Sequence, residues 1–240
     1  MEHIAIRENI PQYMEELKAW LVEIQDRPLE EMSDFFSARL WEYEDHMARW
    51  KEGYRLMARL VPETARTVLD LGCGTGLELD ALFALRRNIA VTGIDLCPEM
   101  LAKLREKHPQ VFTVCGDYFT ADLGRVRYDC AITFESLHHF TPEKKLGLFQ
   151  KVFRALKPGG VYLEADYLAC CPEEEQLLME FCWNKRRQQG IPEADFVHFD
   201  TPLTPEMEMD LLDRAGFTDV QFLTAVEGCS FLRCRKGSGV

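Results

Sequence analysis

The stretch Thr67-Val68-Leu69-Asp70-Leu71-Gly72-Cys73-Gly74-Thr75-Gly76 decides the reading of this chain. Its first five residues form a short apolar strand, and a glycine loop follows. Leu79, Leu82, Phe83 and Leu85 then recur at helical spacing. A glycine loop between strand and helix lets backbone N–H groups come close to a ligand, because side chains would block the approach. A dinucleotide site wants G-x-G-x-x-G, its third glycine packing helix on strand. That position here is Leu77, and the third glycine comes one residue early, at Gly76. No G-K-[S/T] follows, which excludes a P-loop. Asp70 stands two residues before the first glycine. A pyrophosphate gains nothing from a carboxylate there, whereas a cationic ligand or an amino group does.

Downstream, strands and helices alternate. Ile89 to Ile94 reads as a strand ending at Asp95, and Pro98 opens a helix carrying Met100, Leu101 and Leu104. Val111 to Val114 is the next strand, followed by Gly116-Asp117-Tyr118, and Tyr128 to Phe134 is another. Thr141 caps a helix that starts at Pro142, with Leu146, Phe149, Val152, Phe153 and Leu156 on its buried face. Lys157-Pro158-Gly159-Gly160 stops it, and Val161 to Leu168 is a fifth strand. This alternation implies parallel β-α-β units and an α/β, doubly wound sheet. An insertion at about 170–204 holds a helical run near Leu177 to Arg187. A helix from Thr204-Pro205 to Gly216 precedes two strands, 217–224 and 229–235, joined by the turn Val226-Glu227-Gly228.

Residues 1–62 read as a helical cap. Tyr13, Leu17, Trp20, Leu21 and Ile24 make one apolar stripe, interrupted at Pro28. Phe35, Phe36, Leu40 and Tyr43 mark a second helical piece, and Tyr54, Met57, Ala58 and Val61 a third that ends before Pro62. These helices are expected to close as a lid over the site or, alternatively, to form a homodimer contact. Residues 63–240 are expected to make up the remainder of one domain with this cap.

Lysine and arginine number 28 against 40 acids, a net charge of -12. Such a chain repels phosphate backbones and anionic lipid heads, so a nucleic-acid or membrane partner is not expected. No stretch approaches the roughly 20 apolar residues of a membrane span. Met1-Glu2-His3-Ile4 lacks the basic flank and apolar run of a signal peptide. The nine cysteines are odd in number, with no C-x-x-C pair and no zinc pattern. They read as reduced, small apolar residues, and a cytoplasmic protein without a metal site is expected.

Three acids end three successive strands. Asp70 precedes the glycine loop, Asp95 can accept both hydroxyls of a ribose, and Asp117 can accept from an adenine amino group. The run from Val68 to Gly76 resembles motif I of class I S-adenosylmethionine-dependent methyltransferases. Asp95, Gly116-Asp117, the strand from Tyr128 to Phe134 and the turn Leu156-Lys157-Pro158-Gly159-Gly160 resemble that family's later motifs in order and spacing. The resemblance covers residues 66 to 168, and the closing hairpin fits the family's reversed last strand. It implies a seven-stranded Rossmann-like sheet with a C-terminal antiparallel hairpin, and S-adenosyl-L-methionine as cofactor.

The resemblance also implies residue roles. Gly72, Cys73 and Gly74 hold the methionine part of the cofactor, with Asp70 near its amino group. Asp95, beside Leu96, binds the ribose, and Asp117 with Tyr118 binds adenine. Thr133, Phe134 and Glu135 line the cleft beside the sulfonium. A narrower resemblance runs through Glu44-Asp45-His46-Met47 and Gly53-Tyr54 to a branch that includes carboxy-S-adenosylmethionine synthase. There Tyr54 approaches the cofactor carboxylate, and an arginine in the C-terminal half binds an extra carboxylate. Arg186 and Arg187 lie in that region, but neither aligns with it.

Candidates for proton transfer lie just past the fourth strand, at His138 and His139. The alternative for these two is packing against Phe140. Glu135, His198 and Asp200 are candidate substrate residues, or loop residues in which Asp200 caps a turn. Trp183, Asn184, Lys185, Arg186 and Arg187 form a basic spot that either receives a carboxylate or is a solvated helix face. The function expected is methyl transfer to a small-molecule acceptor, of EC 2.1.1 type. The rivals are a carboxylated-cofactor or tRNA-modifying relative, a non-catalytic cofactor-binding sensor or scaffold, and, most remote, a nicotinamide dehydrogenase.

Overall fold

The computed structural model describes residues 4–238, so Met1, Glu2 and His3, and with them most of the expected leaderless N-terminus, lie outside the described residues. The central feature is a seven-stranded sheet. Its strands are β2 (Thr67–Leu71), β3 (Ala90–Asp95), β4 (Phe112–Cys115), β5 (Tyr128–Phe134), β6 (Leu156–Asp166), β8 (Thr218–Val226) and β9 (Cys229–Arg235). They lie in the order β4-β3-β2-β5-β6-β9-β8. The strands from β4 to β6 are mutually parallel, and β9 runs antiparallel to both β6 and β8. This is the α/β, doubly wound sheet with a reversed hairpin that the alternation implies. The order reverses between β2 and β5, which opens a crevice beyond the carboxyl ends of those strands.

Alternation along the strands divides the core between two faces. Leu69, Leu71 and Ala131 pack with Leu148, Phe149 and Val152 on one side. Val68, Cys130 and Ile132 pack with Met57, Leu79 and Leu82 on the other. The helices that cover the sheet are α5 (Leu77–Leu85), α6 (Pro98–Lys107), α7 (Pro142–Ala155) and α9 (Pro205–Arg214). Thr141 caps α7 as expected, its hydroxyl accepting the Lys144 N–H. The buried face of α7 differs from the stripe expected, because Lys145 and Leu148 are enclosed with Phe149 and Val152. Lys145 Nζ donates to Glu208 Oε2 of α9 at 2.8 Å, with both side chains fully buried. Leu85, expected on the buried face of α5, faces outward at the end of that helix.

The turn Lys157-Pro158-Gly159-Gly160 bulges out of β6. Tyr128 pairs Leu156 and Cys130 pairs Val161, so the strand begins before the turn and resumes after it. The hairpin turn is Glu227-Gly228, both at positive φ, between the paired Val226 and Cys229. That is the turn geometry that matches strand twist.

The cap comprises α1 (Ile10–Ile24), α2 (Met32–Ala38), α3 (Tyr43–Met47) and α4 (Lys51–Leu60). The second helical piece expected is thus two helices, separated at Arg39 to Glu42. The insertion holds α8 (Pro172–Gln189), ended by Gly190 at positive φ. Met14, Leu17, Leu21 and Ile24 of α1 pack on Leu178 and Cys182 of α8. A short antiparallel pair, β1 (Glu30–Glu31) with β7 (Val197–His198), ties cap to insertion a second time. Of the basic spot, Trp183, Asn184 and Arg187 lie on the solvated face of α8, as the alternative reading has it, and Lys185 and Arg186 are engaged by backbone carbonyls. Lys185 is buried and donates to Ile24 O at 3.1 Å, Gln25 O at 3.0 Å and Arg27 O, closing the C-terminus of α1. Arg186 donates to Pro192 O and Asp195 O. Neither residue is therefore placed to receive a carboxylate substrate, which corrects that reading of the run. All nine cysteines are free; Cys115, against expectation, is exposed. Among the described residues no helix is long and apolar enough to cross a membrane.

Candidate active site

The glycine loop closes because two of its members cannot carry a side chain. Gly72 has φ +72, and a Cβ there would stand 2.0 Å from Ser136 Oγ. Gly76 has φ +78, and its Cβ would stand 2.4 Å from Leu104 Cδ1, so it sets how closely α5 and α6 pack. The Gly72 N–H donates to Ile94 O at 2.8 Å, which fastens the loop to the end of β3. Asp95, the last residue of β3, accepts the Gly74 N–H at 2.8 Å and the Cys97 N–H at 2.8 Å. Burial raises the Asp95 carboxyl above its usual range, against the pull of these N–H groups.

A cavity of about 970 Å³ opens beyond these strand ends. Gly72, Gly74, Asp95, Leu96, Asp117, Tyr118 and Phe134 of the expected cofactor residues lie on its wall. Asp117 Oδ1 accepts the Phe119 N–H at 2.7 Å, and the Tyr118 hydroxyl donates to Ser136 O at 3.1 Å. Phe119, Phe140 and Phe196 pack edge to face beside them.

Tyr54, Asp70, Cys73 and Thr133 are not on that wall. Tyr54 turns inward, its hydroxyl donating to Met47 O at 3.3 Å and its ring 4.5 Å from Phe134. Thr133 points into the sheet and donates to Leu71 O at 3.0 Å. The Cys73 thiol fills the space above Gly93, where a Cβ would lie 2.7 Å from Sγ. Asp70 is buried beneath the loop with neither carboxylate oxygen hydrogen-bonded. Burial, reinforced by the neighbouring Glu78, raises its carboxyl well above the usual range. Tyr43, and not Tyr54, is the cap tyrosine on the cavity wall. It lines the cavity, its Oη 3.2 Å from where a Gly74 Cβ would lie. The sequence signal for it was its spacing with Phe35, Phe36 and Leu40, read only as packing.

The same cavity is also lined by Glu135, His138, His139, His198 and Asp200. Glu135 follows β5 at φ 48, an uncommon conformation for a residue with a side chain. Burial raises its carboxyl to about 7, against the attraction of His138. One of its oxygens, Oε1, is buried without a hydrogen-bond partner. His138 Nδ1 bonds Asp166 at the end of β6, and Asp166 Oδ2 accepts the Leu137 N–H at 2.8 Å. His138 Nε2 is 3.5 Å and His139 Nδ1 3.3 Å from Asp200 Oδ1. Burial opposes the charged form of His138, but Asp166 and Asp200 outweigh it and hold the imidazole up at about 9. Burial and the adjacent His138 lower His139, and burial with His139 lowers His198 to about 3. Burial alone would raise Asp200, but His138 and His139 pull it below the usual carboxylate range. His198 stacks on Phe35 with ring centroids 3.4 Å apart.

Asp166 and Tyr167 went unmarked in the sequence, although both stand at the carboxyl end of a parallel strand. Tyr167 lines the cavity and donates to Glu174, which also accepts the Tyr13 hydroxyl at 2.5 Å. The site therefore joins the sheet, the cap and the insertion. Two sets of donor atoms converge within 4.8 Å of one another, His138/His139/Asp200 and Glu135/His138/Asp166.

Residues 68–160 match a family model described as a methyltransferase domain. A carboxy-S-adenosyl-L-methionine synthase of Campylobacter concisus is 26% identical over 180 residues, 70% of this chain and 75% of that protein. The S-adenosylmethionine-dependent methyltransferase SibL superposes with a TM-score of 0.65 at 20% identity, over 95% of this chain and 69% of that one. Human N-acetylserotonin methyltransferase, solved in complex with S-adenosylmethionine, superposes with a TM-score of 0.55 at 19% identity. That match covers 96% of this chain and 59% of that one.

Proposed function

We propose, from the premise that this chain carries a class I S-adenosylmethionine-dependent methyltransferase domain, that it transfers a methyl group to a small-molecule acceptor. The observation that carries this reading is one cavity of about 970 Å³ lined both by the glycine loop with its strand-end acids and by a cluster of histidines and carboxylates. That volume suits a cofactor with a small partner. The net charge of -12 supports a small acceptor over a nucleic acid.

The residues fit the cofactor. A side chain at Gly72 would collide with Ser136 and one at Gly74 would crowd Tyr43, so bare backbone lines the cavity at both positions, and Asp95 presents a carboxylate at the end of β3. When bound, S-adenosylmethionine supplies an already activated methyl group. Gly72 and Gly74 hold its methionine end, Asp95 beside Leu96 its ribose, and Asp117 with Tyr118 its adenine. Asp70 lies buried below the loop, off the cavity wall, with both carboxylate oxygens unpartnered. The remaining residues align the acceptor, which is the main requirement of a displacement. Phe134 and Glu135 border the transfer site. His139, kept neutral by burial and the adjacent His138, faces the acceptor and takes its proton at a ring nitrogen, while His138, oriented by Asp166, positions the acceptor beside it. Asp200 and His198 form the acceptor's outer wall. We infer that residues 1–62 and 63–240 work as one domain, the cap excluding water from the cavity.

The carboxylated-cofactor alternative needs a guanidinium near the cofactor. Arg39 and Arg49 line the cavity, but Arg39 is held bidentately by Glu30. The test is calorimetry with S-adenosylmethionine, followed by a panel of small hydroxyl, amine and thiol acceptors. Release of S-adenosylhomocysteine with at least one acceptor is expected. Binding without turnover across the panel would leave a sensor, and a co-purifying carboxylated cofactor would favour the alternative.

A further inference from the structure

We propose that His138 Nε2, His139 Nδ1 and Asp200 Oδ1 form a site for one divalent transition-metal ion on the cavity wall. Two imidazoles and one carboxylate are a donor set that such ions favour when positions must stay open for a further ligand. The spacing suits it. Donors about 2.1 Å from an ion in tetrahedral arrangement stand about 3.4 Å from one another. Asp200 Oδ1 is 3.5 Å from His138 Nε2 and 3.3 Å from His139 Nδ1. All three donor atoms fall within 4.8 Å of one another.

The supporting shell is already in place. His138 Nδ1 is bonded to the buried Asp166, which leaves Nε2 facing Asp200 as the nitrogen that an ion would take in exchange for its proton. This carboxylate–histidine arrangement is how ligating imidazoles are fixed in tautomer and orientation. Asp166 is itself held by the Leu137 N–H, so the ring cannot swing freely. Besides Asp200, His139 Nδ1 meets Phe199 O at 3.3 Å, a long contact that an ion would replace. The competing set, Glu135 with His138 and Asp166, would use the Nδ1 that Asp166 already holds. Asp200 is 44% exposed and opens onto the cavity, which leaves coordination positions facing the acceptor.

Binding of the ion stands independently of the cofactor reading. The acceptor class it selects rests on that reading: a small molecule with two neighbouring oxygen donors, one of them the atom to be methylated. Such a chelating acceptor would be oriented by the ion and capped by the aromatic wall.

The test uses the full chain without a polyhistidine tag, stripped with a chelator and titrated with cobalt(II). One ion per chain is expected, with visible d–d bands and no near-ultraviolet thiolate charge-transfer band, since the donors are nitrogen and oxygen. Zinc(II) should displace it. Asp200→Asn should weaken cobalt binding by at least about tenfold. Paramagnetic shifts of imidazole protons of two histidines in the unsubstituted protein locate the ion even if that variant unfolds. Binding only in the millimolar range, a thiolate band, or shifts confined to other histidines would overturn the proposal. Calorimetry with S-adenosylmethionine on the same metal-free sample separates the two readings. Cofactor binding without metal binding sinks this proposal alone, and metal binding without cofactor binding sinks the methyltransferase assignment alone.

Discussion

Asp95 Oδ2 accepts the backbone N–H of Gly74 at 2.8 Å, so the acid that ends one strand is fastened to the glycine loop that follows its neighbour. The same residue lines the cavity, so it shapes the loop and, in the function proposed above, also binds the ribose. Replacing it by alanine removes both. Asp95→Ala is expected to weaken S-adenosylmethionine binding by at least tenfold, or about 1.4 kcal/mol. Calorimetry reads this directly, and an unchanged affinity would remove Asp95 from the cofactor site.

Gly76 tests the packing of the loop apart from ligand contact. A methyl group there would meet Leu104 at 2.4 Å and sit on a backbone with φ +78. Gly76→Ala is therefore expected to cost about 1–3 kcal/mol, seen as a lower thermal midpoint. Leu104→Ala added to it should make the clash disappear while leaving the backbone strain. A midpoint unchanged by the single substitution would show that the loop is not constrained there.

Lys145 and Glu208 form a fully buried ion pair between α7 and α9. Removing one partner leaves the other charge uncompensated in the core, so Lys145→Met should cost about 3–5 kcal/mol. The double change Lys145→Met with Glu208→Leu should recover most of that stability. Denaturant titration of the three proteins decides it. Equal losses in the single and double variants would mean that packing, not charge, accounts for the effect.

Asp129 gives stability a pH dependence of known sign. Burial raises its carboxyl, but the Lys157 ammonium at 2.8 Å and N–H groups of Arg66 and Thr67 win and bring it to about 2. The unfolded value is about 3.9, so the contribution is fully present above that pH and is lost as pH falls through about 2. Solvent screening of a partly exposed pair limits it to about 1–2 kcal/mol. Asp129→Asn should therefore lower stability at pH 6 and have little effect below pH 2. A constant difference across that range would sink the assignment.

Much of the site's location was legible before any tertiary contact was known. Asp95 and Asp117 end strands whose apolar runs are short and bounded, and Gly72 and Gly74 interrupt the chain where only a tight turn fits. The cavity residues that follow β5 were legible too, because the loop after a parallel strand must open at the carboxyl edge. Asp166 and Tyr167 obey the same rule one strand later, yet nothing in their immediate neighbours distinguishes them from the end of an ordinary strand. Their importance comes from partners distant in sequence: Asp166 meets His138, and Tyr167 meets Tyr13 and Glu174.

The choice between Tyr43 and Tyr54 shows the limit from the other side. Both are tyrosines on helices of the cap, and helical periodicity assigns each an inward face. The packing of α4 against β5 and β9, through Gly53 beside Phe134 and Phe231, turns Tyr54 into the core and leaves Tyr43 over the glycine loop. In the same way Lys185, read as part of a basic spot, ends beneath α1 because α8 docks there. The sheet, the glycine loop and the order of its acids follow from local periodicity, turn chemistry and spacing along one chain, and so were readable from it. Which side chains share the cavity, and which titrating groups face each other, is set by long-range packing. Those relations join the cap, β5, β6 and the insertion, which are brought together by the burial of apolar faces and not by any local signal.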